Sequence, residues 1–197
     1  MKDTEQKKKY KIISLIGKAG SGKDTILNWV VSRRPDLHKI INFTTRPPRN
    51  NEIDGRDYYF KNKDNWANEN IINGTCQIFN DWVYGTYESA LSTDEWNIGV
   101  FNFKANEKMY MNPNIDLYTI YIDANDKVRL LRQLNREIHP DCEEIIRRFQ
   151  ADKNDEKNCT IHPELTIKNN DDFEVAYNAA PLIDYIDFIM KDPIWVE

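Results

Sequence analysis

The first apolar run, Lys11-Ile12-Ile13-Ser14-Leu15-Ile16, is rich in β-branched residues and almost free of polar ones. That is the pattern of a strand covered on both faces, as in a parallel sheet. A glycine-rich stretch follows, and then Ile26, Leu27, Val30 and Val31 recur at helical spacing until Pro35 ends the element. Residues 40–43 predict a short strand. Residues 46–60 are polar and hold Pro47, Pro48 and Gly55, so they predict turns. A short helix is expected over 64–70, a hairpin over 75–86 and a brief helix over 88–91. Residues 98–102 and 117–122 predict two more buried strands. Val128, Leu130, Leu131 and Leu134 predict a helix over 126–136. A second helix over 141–153 is signalled by Asp141 as cap, with Glu144 three positions on. A short strand over 165–167 and two terminal helices, 173–180 and 182–190, complete the pattern. Strands separated by helices predict an α/β fold with a parallel sheet.

Composition narrows the class. At 197 residues the chain suits one domain, or a core with small insertions. The 27 basic and 32 acidic residues give a net charge of −5, which argues against a general nucleic-acid binder. No apolar run approaches the roughly 20 residues of a membrane span. The charged first eleven residues lack the apolar core of a secretory signal. Cys76, Cys142 and Cys159 are odd in number and form no CxxC pair, so no disulfide framework is expected and a cytoplasmic setting is. His38, His139 and His162 are too scattered to suggest a zinc site.

Three of the seven glycines lie between positions 17 and 22, in Gly17-Lys18-Ala19-Gly20-Ser21-Gly22-Lys23. This fits the phosphate-binding loop G-x4-G-K, and its context is a buried strand before and a helix after. Backbone N–H groups from Lys18 to Gly22 face one anion in such a loop, the helix N-terminus adds its positive end, and Lys23 reaches the β- and γ-phosphates of a nucleotide. The position after the lysine usually carries Ser or Thr for magnesium; here it is Asp24, with Thr25 next. A carboxylate is also a hard oxygen ligand for Mg2+, with a stricter metal requirement expected; the alternative is that Asp24 caps the helix.

Downstream, Thr44-Thr45-Arg46-Pro47-Pro48-Arg49 leads into Glu52-x-Asp54-Gly55-x-Asp57-Tyr58-x-Phe60. Two arginines three apart, around prolines that stiffen the loop, suit a forked grip on one phosphate. Tyr58 and Tyr84 carry hydroxyls that can join the grip, although Tyr58 taken alone is more readily a core aromatic than a ligand. These residues resemble guanylate kinases, as do Val83-Tyr84-Gly85-Thr86, Arg132-x3-Arg136, Ile145-Ile146-Arg147-Arg148-Phe149 and Asn170-Asp171-Asp172-Phe173 further on. The resemblance runs in order from about Ile12 to Tyr177. It implies a single nucleotide kinase domain with a P-loop-type parallel sheet flanked by helices. The core would be about 5–41, 92–133 and 155–197, the acceptor-binding insertion about 42–91, and a helical lid about 134–154. It further implies that Lys23, Arg46, Arg136 and Arg148 neutralise charge during phosphoryl transfer. Arg132 and Asn170 would join the loop on ATP. Asn42, Arg46, Arg49, Tyr58, Thr75, Tyr84, Thr86 and Asn102 would hold the acceptor, and Asp24 the metal. The partners implied are small nucleotides rather than nucleic acid or membrane, for a monomer or homodimer.

Guanylate kinases read guanine with two acids, and at the corresponding positions this chain has Thr75, nine residues before Tyr84, and Asn102. Thr and Asn offer mixed donors and acceptors where a carboxylate only accepts. Gln77 or Asp81 stands nearby as another source of the contact. The expected reaction is transfer of the ATP γ-phosphoryl group to GMP, dGMP or another nucleoside monophosphate. Two alternatives are kept: a P-loop kinase for another phosphorylated small molecule, and a non-catalytic phosphopeptide-binding module of the same fold.

Overall fold

The computed structural model describes residues 9–49, 52–72, 77–79, 81–136, 138–170 and 175–191. In chain order the elements are β1 (Tyr10–Ile16), α1 (Lys23–Arg33), β2 (Leu37–Lys39), β3 (Phe43–Thr44), β4 (Tyr59–Phe60), β5 (Gln77–Phe79) and β6 (Trp82–Gly85). Then come β7 (Trp96–Val100), α2 (Phe103–Tyr110), β8 (Ile115–Asp123), α3 (Asp126–Leu134), α4 (Cys142–Asn158), β9 (Leu165–Lys168) and α5 (Val175–Lys191). The fold is mixed α/β, with a five-stranded parallel sheet in the order β2-β7-β1-β8-β9, flanked by helices, as the strand–helix alternation predicts. A second, four-stranded sheet has the order β4-β3-β6-β5.

By contacts the described residues divide into two compact units, one within Met1–Ser14 and Asp36–Tyr118, the other within Leu15–Pro35 and Thr119–Glu197. In the first, β2 pairs in parallel with β7, and β3 pairs in parallel with β4 and antiparallel with β6. β5 and β6 form the expected hairpin, with Asp81 at φ 61° in its turn. The small sheet is pinned by an aromatic cluster. Phe43 stacks on Tyr87 at 4.2 Å and on Trp66 at 6.0 Å, and the Tyr87 hydroxyl donates to the Trp66 carbonyl at 2.7 Å. Ranges 46–60 and 42–91 fall in this unit, so the acceptor motif is carried on strands β3, β4 and β6.

In the second unit, β8 and β9 pair in parallel, α5 packs on β9 and on α1, and α3 packs on α4. α1 turns Ile26, Leu27 and Val30 inward, and α5 does the same with Ala179, Leu182 and Ile186. Among the described residues no helix is long and apolar enough to cross a membrane.

Four expectations change. The strand expected over 40–43 is not continuous: β2 ends at Lys39, β3 begins only at Phe43, and the two belong to different sheets. Residues 64–70 are turns rather than a helix; Asp64, Asn65, Asn68 and Asn70 compete with the backbone for its own hydrogen bonds there. The helix α2 was not anticipated. Asn102 caps it, its side-chain oxygen accepting the Ala105 N–H at 2.8 Å, and Phe103, Ala105 and Met109 are buried along one face. The two terminal helices are one, α5, with Pro181 inside it. Pro181 is exposed, so the carbonyl it leaves unbonded is on the solvated side, while the buried stripe on the opposite face continues unbroken.

Candidate functional site

The glycine-rich loop joins β1 to α1 in the second unit. Gly22 sits at φ 92°, in the left-handed region, and a Cβ there would overlap the amide of Asn169. Asn169 uses the space. Its Nδ2 donates to the Ser21 carbonyl at 2.7 Å, its Oδ1 accepts from Asn178 at 2.8 Å, and its carbonyl accepts from Arg132 Nη1 at 3.0 Å. Lys23 opens α1 and reaches back, its Nζ donating to the carbonyls of Gly17 at 2.7 Å and Lys18 at 3.0 Å. Burial pushes the Lys23 ammonium below its ordinary pKa, against the pull of Asp24 and Asp152.

A cavity of about 470 Å³ opens beside the loop, lined by Gly20, Gly22, Lys23, Asp24 and Thr25, and by Arg132, Gln133, Arg136 and Asn169. Three side chains with cationic ends thus line one cavity at a helix N-terminus, an arrangement suited to a polyphosphate. Asp24 and Thr25 are exposed at its edge. Their carboxylate and hydroxyl are hard oxygen donors of the kind magnesium takes. Among the described residues no group of three or more His, Cys, Asp or Glu could hold a metal ion. An ion here would therefore draw its other ligands from phosphate and water.

Other residues expected at the donor site are placed differently. The Lys18 ammonium pairs with Glu156 at 3.0 Å, the Ala19 N–H donates to Asp152 at 2.7 Å, and Ser21 is fully buried. Asn170 accepts the Asn125 N–H at 2.7 Å, whereas its neighbour Asn169 lines the cavity. Arg148 donates to Glu144 at 2.5 Å and Arg147 forks onto the same carboxylate, so both lie along α4 and neither lines the cavity. Asn169, Gln133, Ile26 and Val175 also line the cavity and are not among the expected site residues; only Asn169, as one of two adjacent asparagines after a strand, leaves a signal in the sequence.

The acceptor motif lies in the first unit. Thr44 Oγ1 accepts the Arg46 N–H at 3.1 Å, and Thr45 Oγ1 accepts the Val83 N–H at 2.8 Å, which fixes the chain just before the prolines. Arg46 is only 4% exposed. Its Nη1 donates to the Pro47 carbonyl at 2.7 Å, and its two terminal nitrogens meet the two oxygens of Glu52 at 2.9 and 3.0 Å. Its Nε is buried without a hydrogen-bond partner. The guanidinium lies 5.6 Å from the Tyr58 ring centre and 5.8 Å from that of Phe60, and Tyr58 meets Tyr84 edge-on at 6.3 Å. Glu52 also accepts the Arg49 N–H at 2.8 Å. Burial alone would raise the Glu52 carboxyl, but the hydrogen bonds and charges of Arg46 and Arg49 hold it below the usual range. Asn42 spans Val100 and Thr86, donating to the carbonyl of one at 2.8 Å and accepting from the hydroxyl of the other at 2.6 Å. Arg46, Arg49, Tyr58 and Tyr84 are thus brought together around Glu52 and the small sheet. Thr75 lies outside the described residues.

The chain is similar to known proteins. A guanylate kinase of Caulobacter vibrioides is 29% identical over 173 residues, covering 84% of this chain and 80% of its own length. One from Gloeobacter violaceus is 41% identical over 80 residues, which is 39% of this chain and 38% of that protein. Among solved structures, a guanylate kinase from Anaplasma phagocytophilum matches with a TM-score of 0.63 and 15% identity, covering 95% of this chain and 89% of the other, a likeness of fold. The family model described as guanylate kinase matches residues 9–183, a stretch that takes in the glycine-rich loop, the acceptor motif and α4 alike. On that match the chain belongs to the guanylate kinase family.

Proposed function

We propose that the protein is a nucleoside monophosphate kinase that transfers the γ-phosphoryl group of ATP to GMP, dGMP or another nucleoside monophosphate, giving ADP and the nucleoside diphosphate. The observation that carries this reading is Lys23, held over its loop carbonyls at the wall of a cavity it shares with Arg132 and Arg136. The family membership and the Arg46–Glu52–Arg49 cluster support it.

In this reading Lys23, Arg132 and Arg136 carry positive charge to the ATP phosphates, and Arg148 joins them by leaving Glu144. Magnesium, held by Asp24 and Thr25, would offset phosphate charge when bound. Arg46, Arg49, Tyr58 and Tyr84 hold the acceptor phosphate; Glu52 leaves the buried Nε of Arg46 without a hydrogen-bond partner. The attacking phosphate oxygen is already an anion, so no general base is needed. Positioning and charge neutralisation supply the rate. Residues 42–91 would serve as the acceptor insertion and 134–154 as the lid, whose closure keeps water from competing.

One observation favours an altered base choice. The Asn102 oxygen already accepts the Ala105 N–H, so toward a base it offers one remaining lone pair beside two amide N–H donors. Guanine presents N1–H and N2–H donors on the edge that the family's acids read, and an amide so engaged accepts them less fully than a carboxylate with both oxygens. The test is ADP release from ATP and Mg2+ with GMP, dGMP, AMP, dAMP, UMP, CMP, dTMP and dUMP in turn. We expect at least one monophosphate to stimulate release strongly. Silence across the set would overturn the nucleoside monophosphate kinase reading in favour of a P-loop kinase for another phosphorylated small molecule or a non-catalytic phosphopeptide-binding module.

A further inference from the structure

Arg129 of α3 is fully buried, and none of the roles above uses it. A buried guanidinium needs partners on every edge. Its Nε donates to the Ala19 carbonyl at 3.0 Å, its Nη1 to Asp126 at 2.9 Å and its Nη2 to Asp152 Oδ2 at 2.5 Å, while its face lies 4.5 Å from the Phe149 ring centre. The same Asp152 oxygen accepts the Ala19 N–H at 2.7 Å. Ala19 is therefore gripped through both of its peptide groups, one by α3 and one by α4. One turn further along α4, Glu156 takes the Lys18 ammonium at 3.0 Å and the Tyr121 hydroxyl at 2.6 Å. α3 also backs directly onto the loop: a Cβ on Gly20, which sits at φ 78°, would stand 2.6 Å from the Arg129 carbonyl oxygen.

Neither Arg129 nor Asp152 lines the cavity. They hold the half of the loop that leads into it. Burial raises the Asp152 carboxyl above its ordinary range, opposed by the Ala19 N–H and by the charges of Arg129 and Lys23.

We propose that Asp152, with Arg129, is a positioning residue for nucleotide binding. The pair fixes Ala19 from behind, so that the turn through Gly20 and Gly22 and the reach of Lys23 keep the arrangement that lines the cavity, and it anchors the C-terminal half of α4 to the loop. The proposal rests on the reading of that cavity as the ATP site. Asp152 acts through the loop rather than on the nucleotide, so its loss raises the ATP requirement and leaves the acceptor's Michaelis constant unchanged.

The test is calorimetric titration with ATP and Mg2+, no acceptor present, of the wild type, Asp152→Ala, Asp152→Asn, Arg129→Met and Leu182→Ala. Leu182 is fully buried in α5 and takes no part in the hydrogen bonds that hold Ala19, so its truncation lowers Tm without removing any of them. We expect Asp152→Ala and Arg129→Met to weaken ATP about tenfold, as loss of a charge-assisted pair would. Asp152→Asn keeps an oxygen for the Ala19 N–H and falls between. Leu182→Ala stays within about twofold of wild type whatever its Tm. Wild-type affinity in both Asp152 variants overturns this proposal alone, as does affinity that simply tracks Tm through Leu182→Ala. Failure of the wild type to bind ATP overturns the donor-site reading and this proposal with it.

Discussion

Glu52 shows how a single carboxylate organises the acceptor motif. It joins the Arg46 guanidinium to the Arg49 N–H, in a place where Arg46 is nearly out of water. Its pKa is held low in the folded chain, so its contribution to stability is complete above the ordinary glutamate value of about 4.3. That contribution is lost as pH falls through the depressed folded value. Glu52→Gln should therefore melt below wild type at pH 7, and the gap should close as both are acidified below about pH 4. A gap that stays constant down to pH 3 would show that the ion pair carries no stability. The same variant should raise the acceptor's Michaelis constant, since Arg46 then has one charged anchor fewer. The arginines were legible in the sequence because a phosphate grip needs two of them close together around rigid prolines. The role of Glu52 was not legible, because it follows from which oxygen meets which nitrogen. The same holds for Arg129 and Asp152, which stand 23 positions apart and on different helices.

At the level of elements, local signals read well wherever the cause of the structure is local. β1, the glycine turn and α1 follow from a buried apolar run, a loop requirement and a helical stripe within 25 residues of one another. The cap of α4 was legible too: Asp141 accepts the Glu144 N–H at 3.0 Å. Elements decided by distant packing were not. α5 runs through Pro181 because its buried face on α1 and β9 outweighs one missing hydrogen bond. α2 is hidden by Asn102, which stands where a strand-end ligand is expected but whose chemistry also marks a helix cap. That double character supplies a clean experiment. Aspartate caps helices as well as asparagine does, so Asn102→Asp should keep Tm within about 1 °C while replacing an amide donor with a carboxylate acceptor. If position 102 faces the base, the kcat/KM ratio for GMP over other monophosphates should rise by tenfold or more, the scale of one buried polar mismatch. An unchanged ratio with unchanged Tm would remove Asn102 from the base pocket and leave it a cap alone.

Across the whole molecule the formal charge is −5, so anionic nucleotides approach against the average field and depend on local cations. Those cations fall into two groups in two separate units: Lys23, Arg132 and Arg136 in one, Arg46 and Arg49 in the other. Two groups should give two independent ligand responses, and thermal melting can tell them apart. A ligand at a hundred times its Kd stabilises by about 2.7 kcal/mol, which for a chain of this size is a rise of about 5 to 11 °C in Tm. ATP with Mg2+ and the preferred monophosphate should each produce such a rise alone. Lys23→Ala should abolish the ATP shift and keep the monophosphate shift. Arg46→Ala should do the reverse. This crossed pattern is more demanding than loss of turnover, because either variant would stop catalysis even if both residues served one ligand. Were each variant to lose both shifts, the two clusters would belong to a single binding event, and the division into donor and acceptor sites would have to be abandoned.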